Sequence, residues 1–132
     1  MRLMLGVGLG VVALGVLCAM GGPSAVAQSQ SQLVRIAELE IDPQQVEAYR
    51  RALQEEIEAS IRIEPGVLTL YAVSVKDHPE KVRLFEVYRD QAAYEAHLQS
   101  AHFKRYKEGT RSMVKSLTLL ETEPILLGTK LR

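Results

Sequence analysis

The chain has no tryptophan, two phenylalanines and one cysteine in 132 residues, and 16 Lys and Arg stand against 16 Asp and Glu. Each shortage excludes something. The cysteine, Cys18, falls in an N-terminal segment that reads as a leader peptide. Arg2 is its positive start, Leu3 to Met20 its apolar stretch, Gly21-Gly22-Pro23 a break, and Ala25-Val26-Ala27 an A-x-A cleavage site before Gln28. An uncleaved membrane anchor is the alternative, since the apolar run is almost long enough to span a bilayer; the small-residue cleavage site favours export. Leu17 before Cys18 argues against a lipoprotein. Removing 27 of 132 residues leaves 105, enough for one small domain with one core. The exported protein then has no disulfide, thiol nucleophile or thiolate metal site. With Arg2 gone, 15 basic residues face 16 acidic ones. That balance gives no reason to expect nucleic acid or an anionic membrane as partner.

Within the mature chain, residues 28–32 (QSQSQ) form a polar linker. Residues 33–127 form the domain, and 128–132 a C-terminal tail. Leu33 to Ile41 alternates as a strand, with Val34 and Ile36 opposite Ala37, Leu39 and Ile41. Asp42-Pro43 is a helix cap followed by a first-turn proline. Val46, Tyr49, Leu53, Ile57 and Ile61 recur at helical spacing up to Pro65-Gly66. Val67 to Val75 and Lys81 to Arg89 are strands joined by a turn over residues 76–80, which leaves His78 solvated. Asp90 caps a second helix, and Ser100 a further piece from Ala101 to about Met113. Ser116 to Leu127 supplies a last strand, with Pro124 at an edge or bulge. The order β-α-β-β-α-β predicts an α+β, ferredoxin-like fold with both helices on one face of an antiparallel sheet.

The strands are apolar on both faces. Val67, Tyr71, Val73 and Val75 oppose Leu68, Leu70 and Ala72, while Val82, Leu84 and Tyr88 oppose Phe85 and Val87. A sheet covered on one side only would be polar on the other. A second copy of the same sheet is the economical cover, so a homodimer closing an α+β barrel is expected.

Residues 85–106, FEVYRDQAAYEAHLQSAHFKRY, gather acid, phenol and imidazole groups beside that apolar surface. The topology, Glu64-Pro65-Gly66-Val67, Phe85-Glu86-Val87-Tyr88, and Tyr94-Glu95-Ala96-His97-Leu98 with His102-Phe103 resemble the antibiotic biosynthesis monooxygenase (ABM) domain. Within it the chain is similar to the small quinol monooxygenases. The resemblance implies a dimeric α+β barrel that oxidises a quinol or phenolic aromatic with O₂ and needs no metal or organic cofactor. Deprotonated quinols are themselves electron-rich enough to reduce O₂. The protein then supplies an apolar cavity, a base and hydrogen-bond donors.

His102, ahead of Phe103, matches the histidine of the resemblance and is expected to accept a proton near neutral pH. Glu86, among apolar neighbours, is costly to bury and is expected to have a raised pKa; an ion pair with Arg35 or Arg83 is its structural alternative. Tyr71, Tyr88, His97 and Tyr106 are expected to line the substrate pocket. A metal shared by His97 and His102 is not expected, because positions five apart point to different helix faces. Lys104, Arg105, Lys107 and Arg111 read as a solvated helix face. Haem-degrading relatives of the fold, as aligned, need an asparagine, a tryptophan and a histidine where this chain has Leu39, His97 and Lys107. A non-catalytic barrel holding a small apolar ligand is the reading from another functional class.

Overall fold

The computed structural model describes residues 32–130, so the expected leader and nearly all of the expected linker lie outside the described residues. The elements are β1 (Leu33–Ile41), α1 (Val46–Ile63), β2 (Val67–Val75), β3 (His78–Tyr88), α2 (Gln91–Gln99), α3 (Ala101–Thr110) and β4 (Val114–Glu121), with a 3-10 turn over Pro43–Gln45. The strands form one antiparallel sheet in the order β2-β3-β1-β4. This is the ferredoxin-like arrangement expected from the sequence. No helix among the described residues is long and apolar enough to cross a membrane.

Local chemistry sets the boundaries. The Asp42 carboxylate accepts from the Gln44 N–H at 3.0 Å, and Asp90 from the Ala93 N–H at 2.7 Å. Each such cap contributes about 1 kcal/mol. Ser100 ends α2 with extended backbone (ψ 147°) and caps α3 through Phe103 N–H. The two helical pieces therefore do not share one axis, a point that matters for the histidines.

Five details differ from the sequence reading. The hairpin turn is only Lys76-Asp77, with Asp77 at φ 64°, so His78 begins β3, exposed and paired with Glu80. Asparagine and aspartate tolerate that left-handed conformation better than most residues. The last strand ends at Glu121, which leaves Pro124 outside the sheet, and α3 stops at Thr110. A bulge between Val67 and Thr69 shifts β2, so Val67 joins Leu70 on the helix-covered face and Leu68 is exposed. The buried stripe of α1 is Val46, Tyr49, Leu53, Glu56 and Ser60, while Ile61 is exposed. The stripe thus carries two polar residues into the interior.

Helices cover one face of the sheet and pack there around two apolar clusters. One holds Ala37, Leu39, Ile41, Tyr49, Leu53, Val82 and Leu84; the other holds Val67, Leu70, Tyr88 and Ala93. Ile57 packs against both. At the second cluster β2 and α2 approach so closely that a Cβ on Gly66 would lie 2.4 Å from the Ala93 Cβ. On the open face, Tyr71, Phe85, Ile36 and Leu120 form one row straight across all four strands. Tyr71, Phe85 and Leu120 of that row are exposed, as is Val73 beside it.

Candidate active site

Between the sheet, α1 and the α2–α3 pair lies a cavity of about 280 Å³. Its apolar lining comes from Ala37, Leu39, Leu53, Leu70, Leu84, Leu98, Phe103, Leu117 and Leu119. Its polar groups are Glu56, Glu86, Tyr88, Tyr94, His97, Tyr106 and Lys107. The volume sits near the lower end of the range for small-molecule sites, and a mostly apolar wall with a few convergent polar groups is their usual character.

Glu86 reaches the cavity because it shares a β3 face with Leu84 and Tyr88. Tyr88 donates to its carboxylate at 3.1 Å. Neither expected arginine pairs with it: Arg35 bonds Glu121 at 3.2 Å and lies 4.2 Å from the centre of the Tyr94 ring, and Arg83 pairs with Glu38 at 3.5 Å. Burial pushes the Glu86 carboxyl above its ordinary value, against the opposing effects of the Tyr88 hydrogen bond and the nearby His97 imidazole. The sign of the linkage follows. A carboxyl whose folded pKa lies above its unfolded value favours folding at low pH, and that stability is lost as pH rises through the unfolded and then the folded pKa. Glu86→Gln is therefore expected to raise the melting temperature at pH 7 but not at pH 4, as read by thermal denaturation. An equal effect at both pH values would refute the buried, strained carboxylate.

His97 closes α2 and is only 3% exposed. Its Nδ1 meets Glu64 Oε1 at 2.9 Å, and its Nε2 lies 3.7 Å from Glu56 Oε1. Glu56 in turn accepts from the Ser60 hydroxyl at 2.7 Å. Phe103 and Tyr88 pack against the imidazole, with ring centres at 4.6 and 5.4 Å. Burial opposes ionisation of Glu64, but hydrogen bonds from His97 and His102 outweigh it and hold that carboxyl below its usual range. Tyr106 and Tyr49 share a hydroxyl hydrogen bond of 2.7 Å. Burial drives both phenols up, Tyr49 to about 12, so both are neutral donors at physiological pH.

Two expected residues lie elsewhere. His102 does not line the cavity. Its Nε2 bonds the same Oε1 of Glu64 from the far side, 2.5 Å away, and it borders two surface clefts. Tyr71 points to the open face, 64% exposed, and borders a separate groove of about 540 Å³ beside Arg50, Gln54 and Glu58. The structure thus brings together Glu86, Tyr88, His97 and Tyr106, and it adds Glu56 and Glu64. Glu56, Ser60 and the apolar stripe of α1 share one phase, which was the available signal for Glu56. Glu64-Pro65-Gly66-Val67 carries part of the family resemblance, but nothing in it indicates that the Glu64 carboxylate meets His97 and His102.

The break at Ser100 also alters the argument about metal. Across it, His97 and His102 converge, and with Glu56 they offer one ligand atom each within 4.8 Å of one another. The reason given by helix spacing therefore does not hold. Each ring gives one nitrogen to Glu64, Nδ1 of His97 and Nε2 of His102.

Comparison with known proteins agrees with the geometry. No curated protein matches the chain. A solved structure from Bacteroides thetaiotaomicron, a provisionally assigned antibiotic biosynthesis monooxygenase, is 47% identical, covers 77% of this chain and 97% of its own, and superposes with a TM-score of 0.74. A provisionally assigned monooxygenase from Lactobacillus acidophilus is 30% identical over 70% of this chain and 44% of its own, with a TM-score of 0.67. A Nitrosomonas europaea protein, 22% identical over 71% of this chain and 99% of its own, shares the fold at a TM-score of 0.68. The sequence pattern described as antibiotic biosynthesis monooxygenase, ABM, matches residues 32–109. With that match and the 47% relative, the chain belongs to the antibiotic biosynthesis monooxygenase family, whose members point to a monooxygenase-type function.

Proposed function

We infer that the protein oxidises a quinol-like or phenolic aromatic with O₂ and requires no cofactor. One observation carries this reading: a buried histidine, backed by a carboxylate, faces an apolar cavity alongside a carboxyl whose pKa is raised. In this scheme His97 takes the phenolic proton, a role the sequence had pointed to His102. The resulting anion is electron-rich and transfers electrons to O₂. Conversion of a quinol to a hydroxyquinone consumes one O₂, places one oxygen atom in the product and releases the other as water. The substrate supplies all four electrons, so no external reductant is needed. Glu86, whose carboxyl burial pushes toward the protonated form, and the Tyr106 hydroxyl line the same cavity, where they serve as hydrogen-bond donors to developing negative charge. The largely apolar wall strengthens each of those interactions.

Reduced menadione is a suitable probe. Oxygen consumption by the protein is expected to exceed the uncatalysed autoxidation of the quinol. No excess with any of a panel of quinols would instead favour a barrel that binds a small apolar ligand without turnover.

The same reading includes export through residues 1–27 and a homodimer. The row Tyr71, Phe85, Ile36 and Leu120, with Val73 beside it, is an apolar surface that a second copy would bury. Light scattering at micromolar concentration is expected to give a dimer mass. Tyr71→Arg combined with Val73→Glu is expected to shift it to monomer; a monomeric mass for the unaltered protein would remove the dimer.

A further inference from the structure

We propose that Glu64 is the exit of a proton path that leads from the cavity through His97 to solvent, and that His102 is the residue that positions Glu64. The proposal rests on the reading that the cavity takes a phenolic substrate.

His97 is sealed from water, so a proton it receives has to leave through a neighbour. Its Nδ1 bonds Glu64 Oε1, and Glu64 borders a surface cleft of about 550 Å³ with Pro65, Gly66 and His102. Glu64 hydrogen-bonds the cavity histidine on one side and borders that cleft on the other, whereas Glu56, which also borders a surface cleft, lies 3.7 Å from His97 Nε2, beyond hydrogen-bond reach. The path balances. The substrate O–H gives its proton to His97 Nε2, the Nδ1 proton of His97 moves to Glu64 Oε1, and the Glu64 carboxyl releases a proton to water in the cleft. When reduced oxygen in the cavity needs a proton, the same steps run backwards and restore the starting tautomer of His97. A carboxyl held below its usual pKa range releases its proton readily. His102 bonds the same oxygen from the surface side, which fixes the carboxylate against His97 without touching substrate.

The test separates proton movement from oxidation. Bound 4-nitrophenol reports its own deprotonation by absorbance, and an external pH indicator reports the proton that leaves. In the unaltered protein the two signals are expected to rise together, about one proton per phenolate. Glu64→Gln keeps a side chain that bonds both imidazoles but accepts no proton, so phenolate is expected to form while proton release falls at least tenfold. His102→Ala is expected to slow release, and His102→Gln, which restores an N–H donor, to recover it. Full proton release in Glu64→Gln, or no phenolate on the unaltered protein, would overturn the path. Oxygen uptake with reduced menadione is measured on the same samples. Loss of uptake with coupled release intact counts against the oxidation alone, and uptake with release indifferent to Glu64→Gln counts against the path alone.

Discussion

Replacing His97 by asparagine is expected to lower quinol-dependent oxygen uptake by about 10²- to 10⁴-fold, the usual worth of a positioned general base. Asparagine can place an amide N–H where His97 has Nδ1, so the bond to Glu64 is kept. What disappears is Nε2, the atom assigned to take the substrate proton. His97 is buried against Phe103 and Tyr88, so some loss of packing accompanies the change and has to be measured beside the rate. The expected signature is a fall in kcat with a much smaller change in KM, since the base acts in the transition state more than in binding. The residual rate should rise with pH as free quinolate becomes available to the cavity. A variant that retains more than a third of the wild-type rate would take His97 out of the chemistry.

Gly66→Ala is expected to destabilise the fold by about 1–3 kcal/mol, the range for overpacking a dense interior. The added Cβ would sit 2.4 Å from the Ala93 Cβ, well inside contact distance, and both atoms belong to short side chains that cannot swing away. Either α2 moves off the sheet or the start of β2 does. The second option strains the hydrogen bond from Arg89 N–H to the Gly66 carbonyl, now 2.8 Å. For a domain of this size each kcal/mol corresponds to about 4–8 °C in melting temperature. Because α2 carries His97, the same displacement should lower activity at temperatures where the protein is still folded. The double variant Gly66→Ala, Ala93→Gly vacates the contested space and should recover most of the stability. Failure of that rescue would mean that the close approach is not what Gly66 provides.

The fold was legible because its signals are local and repeated. Alternation in Leu33–Ile41, the caps Asp42, Asp90 and Ser100, and the Pro65-Gly66 stop each act within a few residues, and each appears where its chemistry puts it. The site was legible only in part. Glu86 and Tyr88 were found because a carboxylate in phase with buried apolar residues is conspicuous in a strand. Glu56 and Ser60 have the same character in α1 but were hidden, since a helix stripe drifts and Ile57 and Ile61 offered an apolar alternative. The His102-Phe103 motif points to His102, whereas the kink at Ser100 sets where each imidazole lies. It directs His97 inward and leaves His102 at the surface cleft, with Glu64 between them. Side-chain direction after such a kink depends on one ψ angle, which residue spacing does not encode.

The strand order has a bearing on how the chain comes together in time. β1 is the earliest made of the described elements, yet it lies inside the sheet and pairs only with β3 and β4. The tie between Arg35 and Glu121 spans 86 positions of sequence. Until β3 is complete, the first strand has no backbone partner, and until β4 arrives one side of it stays open. Contacts closed over such distances carry a loop-closure cost before they return any stability. Complete pairing of β1 therefore waits for β4, the last strand of the domain. A chain ended before β4 would leave β1 as a long apolar edge, the kind of surface that recruits other chains.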